Sequence, residues 1–183
     1  MAHGSRFGLA VALSLSSPLF AEEVAKPPYD DARLTARTWL AGLRDQTPDK
    51  IVANTQFPLA VEGIGPTAGA AVKKCKSANA VKDAKAAAGL WKCLFADKSL
   101  HDNLPADLAL AKWSAVTGEP PAVFERQKEK IVGWAKDHTL VQAVVVGDGV
   151  THTLLFAVKK TTTGSAVEAV VAAAEKEEKH GVD

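Results

Sequence analysis

The stretch that most constrains the fold is Leu140 to Lys159, LVQAVVVGDGVTHTLLFAVK. Two apolar, β-branched runs flank Gly147-Asp148-Gly149. Asp-Gly between such runs signals a β-hairpin, because both central residues of a type I′ turn need positive φ. With Asp148-Gly149 as the turn, Gly147 faces Val150 and the register runs outward from there: Val145 opposes His152, Ala143 opposes Leu154, and Val141 opposes Phe156. Side chains alternate between sheet faces. One face then carries Val141, Ala143, Val145, Leu154, Phe156 and Val158, with His152 as its one polar side chain. The other carries Gln142, Val144, Val146, Thr151, Thr153 and Leu155 and is mixed. The first is therefore the core face, and His152 sits on it near the turn. A bulge at Gly147 would shift one strand by a residue and turn its side chains over.

The rest of the chain bounds what this hairpin can belong to. At 183 residues, 47% hydrophobic and 23% charged, it is globular in composition and long enough for one domain. Residues 1–21 read as a signal peptide: Arg6 as the positive start, Phe7 to Leu15 as the apolar run, and Ala21 at the cleavage position. Residues 22–30 read as a linker and 31–183 as a single α+β domain, which predicts a periplasmic or secreted protein. No cysteine lies near the cleavage position, so no lipid anchor is expected, and no stretch approaches the roughly 20 apolar residues of a membrane span. Without Arg6 the basic side chains balance the 21 acidic ones, which leaves no electrostatic case for nucleic acid or an anionic membrane as partner.

Export would put Cys75 and Cys93 in an oxidising compartment, where a disulfide is the expected state. Closing a loop of that size contributes about 3 kcal/mol in the chain-entropy treatment. The competing reading is a reactive thiolate at Cys75, flanked by Lys73, Lys74 and Lys76. Two cysteines without a spaced histidine pair do not make a zinc site, and no motif calls for a metal or a cofactor.

In chain order, Asp30-Asp31 opens a helix whose apolar stripe is Ala36, Trp39, Leu40 and Leu43. Thr47-Pro48 starts a short second helix. Gln56 to Ile64 reads as a strand with Phe57, Leu59 and Val61 on one side, Pro58 marking an edge, and Glu62 facing away as an ordinary exposed residue. Asn79 can cap a helix from about Ala80 to Phe95 with Val81, Ala84, Ala88, Trp91 and Phe95 inward. His101 beside Asp102 is read as a solvated loop histidine. Leu104 to Trp113 fits helix or strand equally. Ala122 to His138 is expected as one amphipathic helix with Phe124, Ile131, Trp134 and Ala135 inward. From Ser165 on, Ala content and the charged run Glu175 to Lys179 favour helix, while the alternation Val167, Ala169, Val171 and Ala173 suits a strand completing an antiparallel meander.

The Trp39 helix, the short second helix, the strand at Gln56-Phe57-Pro58-Leu59 and the late hairpin together resemble the NTF2-like (cystatin-like α+β) superfamily, over about Asp31 to Glu175. The resemblance implies an antiparallel curved sheet packed against several helices, with the hairpin at its centre and a face that often lines a pocket. The long helical insert before the hairpin and the helix chemistry of the last segment depart from that pattern. Enzymes of the family commonly use Asp and His in the pocket. No matching Asp lies on the core face of the hairpin, so no catalytic residue is carried over.

Two functional expectations follow. The first is a non-enzymatic protein that binds a small apolar ligand, or a protein partner, with His152 orienting a polar group. The alternative is an enzyme with His152 as general base, for which the chain offers no obvious partner carboxylate, since Asp148 is explained by the turn. A module that presents a sheet edge to another chain is a third class, with no unusual edge sequence behind it. The export reading predicts that protein recovered from its host begins at Glu22 and, without reductant, has an intact mass two hydrogens below that of the dithiol chain. A mass matching free Cys75 and Cys93 thiols would remove the disulfide.

Overall fold

The computed structural model describes residues 27–62, 80–95, 110–147 and 150–176. Residues 1–21, read as a signal peptide, and Cys75, Asn79, His101, Asp102, Asp148 and Gly149 lie outside them.

The first helix, α1 (Pro27–Arg44), forms because Ala32, Ala36, Trp39, Leu40 and Leu43 recur on one stripe, and all five are buried. It opens at Pro27, within the segment assigned to a linker, since Pro is suited to the first helical position, where no N–H is needed. A tight turn, with Gln46 at φ 54°, leads to α2 (Pro48–Ala53). Thr47 precedes α2 but makes no capping bond; its hydroxyl donates instead to the Asp45 carbonyl at 3.2 Å. Strand β1 (Thr55–Glu62) follows, then β2 (Ala80–Val81), α3 (Ala84–Phe95) and β3 (Lys112–Ala115). A 3-10 turn (Ala122–Gln127) runs into α4 (Lys128–Trp134), and β4 (Thr139–Gly147), β5 (Val150–Thr161) and β6 (Gly164–Lys176) complete the chain.

The strands form one curved, unclosed sheet in the order β2-β1-β6-β5-β4-β3. The hairpin register is the one read from Asp-Gly, from Gly147 opposite Val150 to Val141 opposite Phe156. The α+β class therefore holds, with one change: β1 and β6 run parallel, so the sheet is mixed. On one face, α1 and α3 pack over Val141, Ala143, Leu154, Phe156 and Val158, with Leu59, Val61, Val167 and Val170 from the neighbouring strands. Trp39 is the centre of this core. Its ring meets Trp91 edge-on at 5.5 Å and Phe156 at 5.9 Å, and its Nε1 donates to Thr55 Oγ1 at 3.1 Å.

The opposite face is not left to solvent. The 3-10 turn and α4 lay Phe124 and Ile131 onto Leu140, Leu155, Ala157, Ala169 and Val171, a second buried cluster. Leu155, on the face read as mixed, is fully buried there. Glu62 also points to this side and pairs with Lys130 of α4, across 68 positions of sequence. Exposed pairs of this kind contribute about 1 kcal/mol or less, so the apolar cluster holds α4 down and the ion pair sets its place.

Four expectations change. The segment from Ser165, open between helix and strand in the sequence, is strand β6 and completes the antiparallel meander with β4 and β5; it lies between β1 and β5 and is buried on both faces at Val167, Ala169, Val170 and Val171. Burial on two sides overrides a modest helix propensity and blurs the alternation that would announce a strand. Residues 80–81 pair with β1, so α3 starts later, where the Asp83 carboxylate accepts from the Ala86 N–H at 2.8 Å. Its buried stripe becomes Ala87, Leu90 and Trp91, and Ala84 and Ala88 are exposed. Ala122 to His138 is broken rather than continuous: Phe124 (φ −104°, ψ 21°) and Gln127 (φ −105°, ψ 2°) leave helical geometry, and Ala135 is exposed. Leu104 to Trp113 is settled only at its end, where Trp113 lies in β3. Pro58 sits where the β1–β6 register slips between Thr55 and Ala60, as a residue without an N–H must.

Gly42 marks the tightest approach of α1 to α2. A Cβ there would lie 2.9 Å from Ile51 Cγ1 and 3.2 Å from the Ile51 backbone nitrogen. Replacing Gly by Ala inside a helix gains about 1 kcal/mol, but forcing a methyl into a filled core costs about 1–3 kcal/mol. Gly42→Ala is expected to lower the urea midpoint, with a net loss of up to about 2 kcal/mol. A midpoint equal to or above wild type would show that the helices separate freely.

Candidate functional site

His152 lies in β5, opposite Val145 in β4 and Ala174 in β6. It shares the α1 side of the sheet with Leu154 and Phe156, as strand alternation requires. Val145 and Leu154 beside it are 1% and 3% exposed, whereas His152 is half-buried. Its ring has no hydrogen-bond partner among the described residues. Burial, the sole cause, holds its pKa below the ordinary histidine value of 6.5, so at neutral pH the ring is the uncharged imidazole. That form offers one N–H donor and one nitrogen acceptor.

Trp113 contributes from β3, opposite Ala143, on the same side of the sheet. Its ring stacks on Phe156, with centroids 6.0 Å apart and planes 28° from parallel. Its Nε1 is buried without an acceptor among the described residues. Strand spacing and rise put the Trp113 and His152 backbones about 12 Å apart. The deep part of this face is filled: Trp39, Trp91 and Phe156 are each 0% exposed. Toward the hairpin end, half-buried His152 neighbours buried Val145 and Leu154. The arrangement can hold an apolar body against aliphatic and aromatic walls and meet one polar atom of it with the imidazole.

Of the other residues singled out from sequence, Glu62 does not join this site. Cys93 belongs to α3, but its pairing with Cys75 lies outside the described residues. Glu62 faces the other side of the sheet. A polar cluster was missed. His138, 5% exposed, lies between Asp137 and Glu168, and Glu168 also binds Lys159. Glu168 is the extra residue of a bulge, since Ala157 pairs with Ala169 but Val158 pairs with Val167.

No family model matches the sequence, and no curated protein matches it. Solved structures of similar fold include a ketosteroid isomerase-like protein from Erwinia carotovora atroseptica, at 11% identity and a TM-score of 0.47, covering 81% of this chain and 97% of that one. A domain of unknown function with a cystatin-like fold from Nostoc punctiforme follows at 9% identity and 0.43, covering 82% and 78%. An NTF2-like protein of unknown function from Pseudomonas putida has 10% identity and 0.40, covering 82% and 89%. A computationally designed 17-OHP binder has 10% identity and 0.35, covering 80% and 98%. At these identities the likeness is one of fold, and no residue, ligand or reaction is carried from these proteins to this chain.

The depressed basicity of His152 has a definite sign. Above the ordinary histidine value the ring is neutral in both folded and unfolded chains, and its titration leaves stability unchanged. As pH falls below that value the unfolded chain takes up the proton first, so stability declines until the folded ring is protonated too. The His152 imidazole should therefore titrate by NMR with a midpoint below 6.5, and His152→Phe should lose less thermal stability than wild type on acidification. A midpoint at or above the ordinary value would contradict the buried, unpartnered setting.

Proposed function

We propose that the protein binds a small, mostly apolar molecule on the α1 side of the sheet, at its hairpin end, through a single polar contact to His152. The observation that carries this reading is the half-buried imidazole, flanked by buried Val145 and Leu154 and without a hydrogen-bond partner among the described residues. A polar side chain kept in such a place without a partner costs stability; a ligand atom that bonds to it removes the cost. Trp113, with its unmatched Nε1, would form the far wall. Neutral His152 favours an uncharged ligand, since it carries no charge to pair with a carboxylate or an ammonium.

The base form of His152 at neutral pH gives a second reading, proton abstraction from a bound substrate. Binding without chemistry is preferred because no described carboxylate bonds to the ring to orient it. Export belongs to the same proposal, supported by the leader-like first 21 residues.

Native mass spectrometry of protein purified from its host tests the binding reading. A discrete bound mass is expected, released on denaturation. His152→Ala should weaken rebinding of the released compound by roughly three- to tenfold, the worth of one hydrogen bond. A protein that carries nothing, or a His152→Ala variant that binds as tightly as wild type, would refute it. Recovery of a chemically altered compound after incubation would move the assignment to the enzyme.

A further inference from the structure

We infer that Tyr29 gives the ligand site a second polar contact, from α1, beside the single one that the sheet supplies at His152; this rests on the binding reading above and deepens it. The direction of α1 carries Tyr29 to that end of the sheet. Near the close of α1, Gly42 lies against Ile51 of α2, and Trp39 Nε1 donates to Thr55 at the start of β1. Thr55 pairs with Val167 and Val167 with Val158, at the end of the sheet away from the hairpin turn. α1 therefore begins toward the hairpin end.

The contact of Trp39 with Phe156 sets the level along both elements. Tyr29 comes ten residues before Trp39, about 15 Å along a helix. His152 comes four residues before Phe156, about 13 Å along a strand. The two thus reach about the same height over the sheet. Tyr29 is also on the inward side of the helix. With Ala32 and Ala36, both buried, it makes an i, i+3, i+7 set. It packs on the α1-side cluster that includes Leu154 and Phe156, and it is only partly buried.

Its neighbours hold the ring and leave the hydroxyl unused. The Arg33 guanidinium carbon stands 5.8 Å from the ring centroid, and Arg33 is itself paired with Asp30 at 3.2 Å. The phenol oxygen forms no hydrogen bond to another described residue. Burial, against the opposing charge of Arg33, raises the phenol above its ordinary pKa, so it keeps its proton at neutral pH. A neutral phenol offers an O–H donor, and neutral His152 offers one donor and one acceptor. Together they fit an uncharged, apolar body with an acceptor oxygen toward α1 and a second polar atom toward β5.

Two measurements on the full chain test this. In NMR of the wild type, Tyr29 ring protons should show nuclear Overhauser contacts to the methyls of Val145 or Leu154, the neighbours of His152. Their absence would overturn the placement, and this result stands whether or not any variant folds. Binding is read with two uncharged dyes: Nile red, which has a carbonyl acceptor, and N-phenylnaphthylamine, which has no acceptor oxygen. Tyr29→Phe keeps the ring and loses the hydroxyl. It should weaken Nile red binding about three- to tenfold and leave N-phenylnaphthylamine within about twofold of wild type. Equal losses for both dyes would show packing rather than a hydrogen bond and would overturn the contact. Nile red binding that falls with His152→Ala but not with Tyr29→Phe would overturn this inference alone. A wild-type chain that binds neither dye would overturn it together with the binding reading.

Discussion

The contact on which the rest of the structure depends is Trp39 against Phe156. Trp39 is the middle of the α1 stripe and Phe156 the middle of β5, so this edge-to-face contact joins the longest described helix to the centre of the sheet. Trp91 brings α3 to the same point and Trp113 brings β3, each through one more ring. Aromatic pairs of this geometry add about 0.5–1.5 kcal/mol beyond the area they bury. The indole N–H of Trp39 is not left idle either: it donates to Thr55, whose hydroxyl donates in turn to the Ile51 carbonyl, closing α1, α2 and β1 into one unit.

Packing of this kind decides what is available for function. Where the rings interlock, the face of the sheet is core and no ligand can enter. Toward the hairpin end the same face continues as buried Val145 and Leu154 beside a half-buried imidazole with no described partner. The opposite face shows a different solution. There the chain covers itself with a short broken helix, fastened by apolar contacts at Phe124 and Ile131 and by polar ones at Lys130 and His138. One sheet thus carries two unlike environments, a deep aromatic core and a pinned cover, each with its own histidine.

Local signals account for what the sequence revealed. Asp-Gly between β-branched runs depends on turn geometry alone, and the register that it dictates held from Gly147 to Val141. The α1 stripe and the placing of His152 on the core face depend only on periodicity, and both hold. What stayed hidden depends on neighbours far along the chain. β6 stays open between helix and strand until β1 and β5 are known to flank it, because Ala-rich sequence suits either state. The capping of α3 by Asp83 could not be seen while residues 80–81 were not known to pair with β1. The His138 cluster needs a bulge, which inserts one residue into a pattern already blurred by burial on both faces.

The parallel pairing of β1 with β6 has a consequence for the order of events in synthesis. Ala60 must wait for Ala169, about a hundred residues later, before its inner edge is matched, and such distant pairings close slowly. Until then β1 has only the two-residue β2 beside it, and α1 has no completed sheet to pack on. A growing chain can fold the hairpin as soon as β5 is made, but it cannot join its two halves before β6 appears. Nascent chains would therefore remain threadable almost to the last strand, and the native state would set in one late, cooperative step.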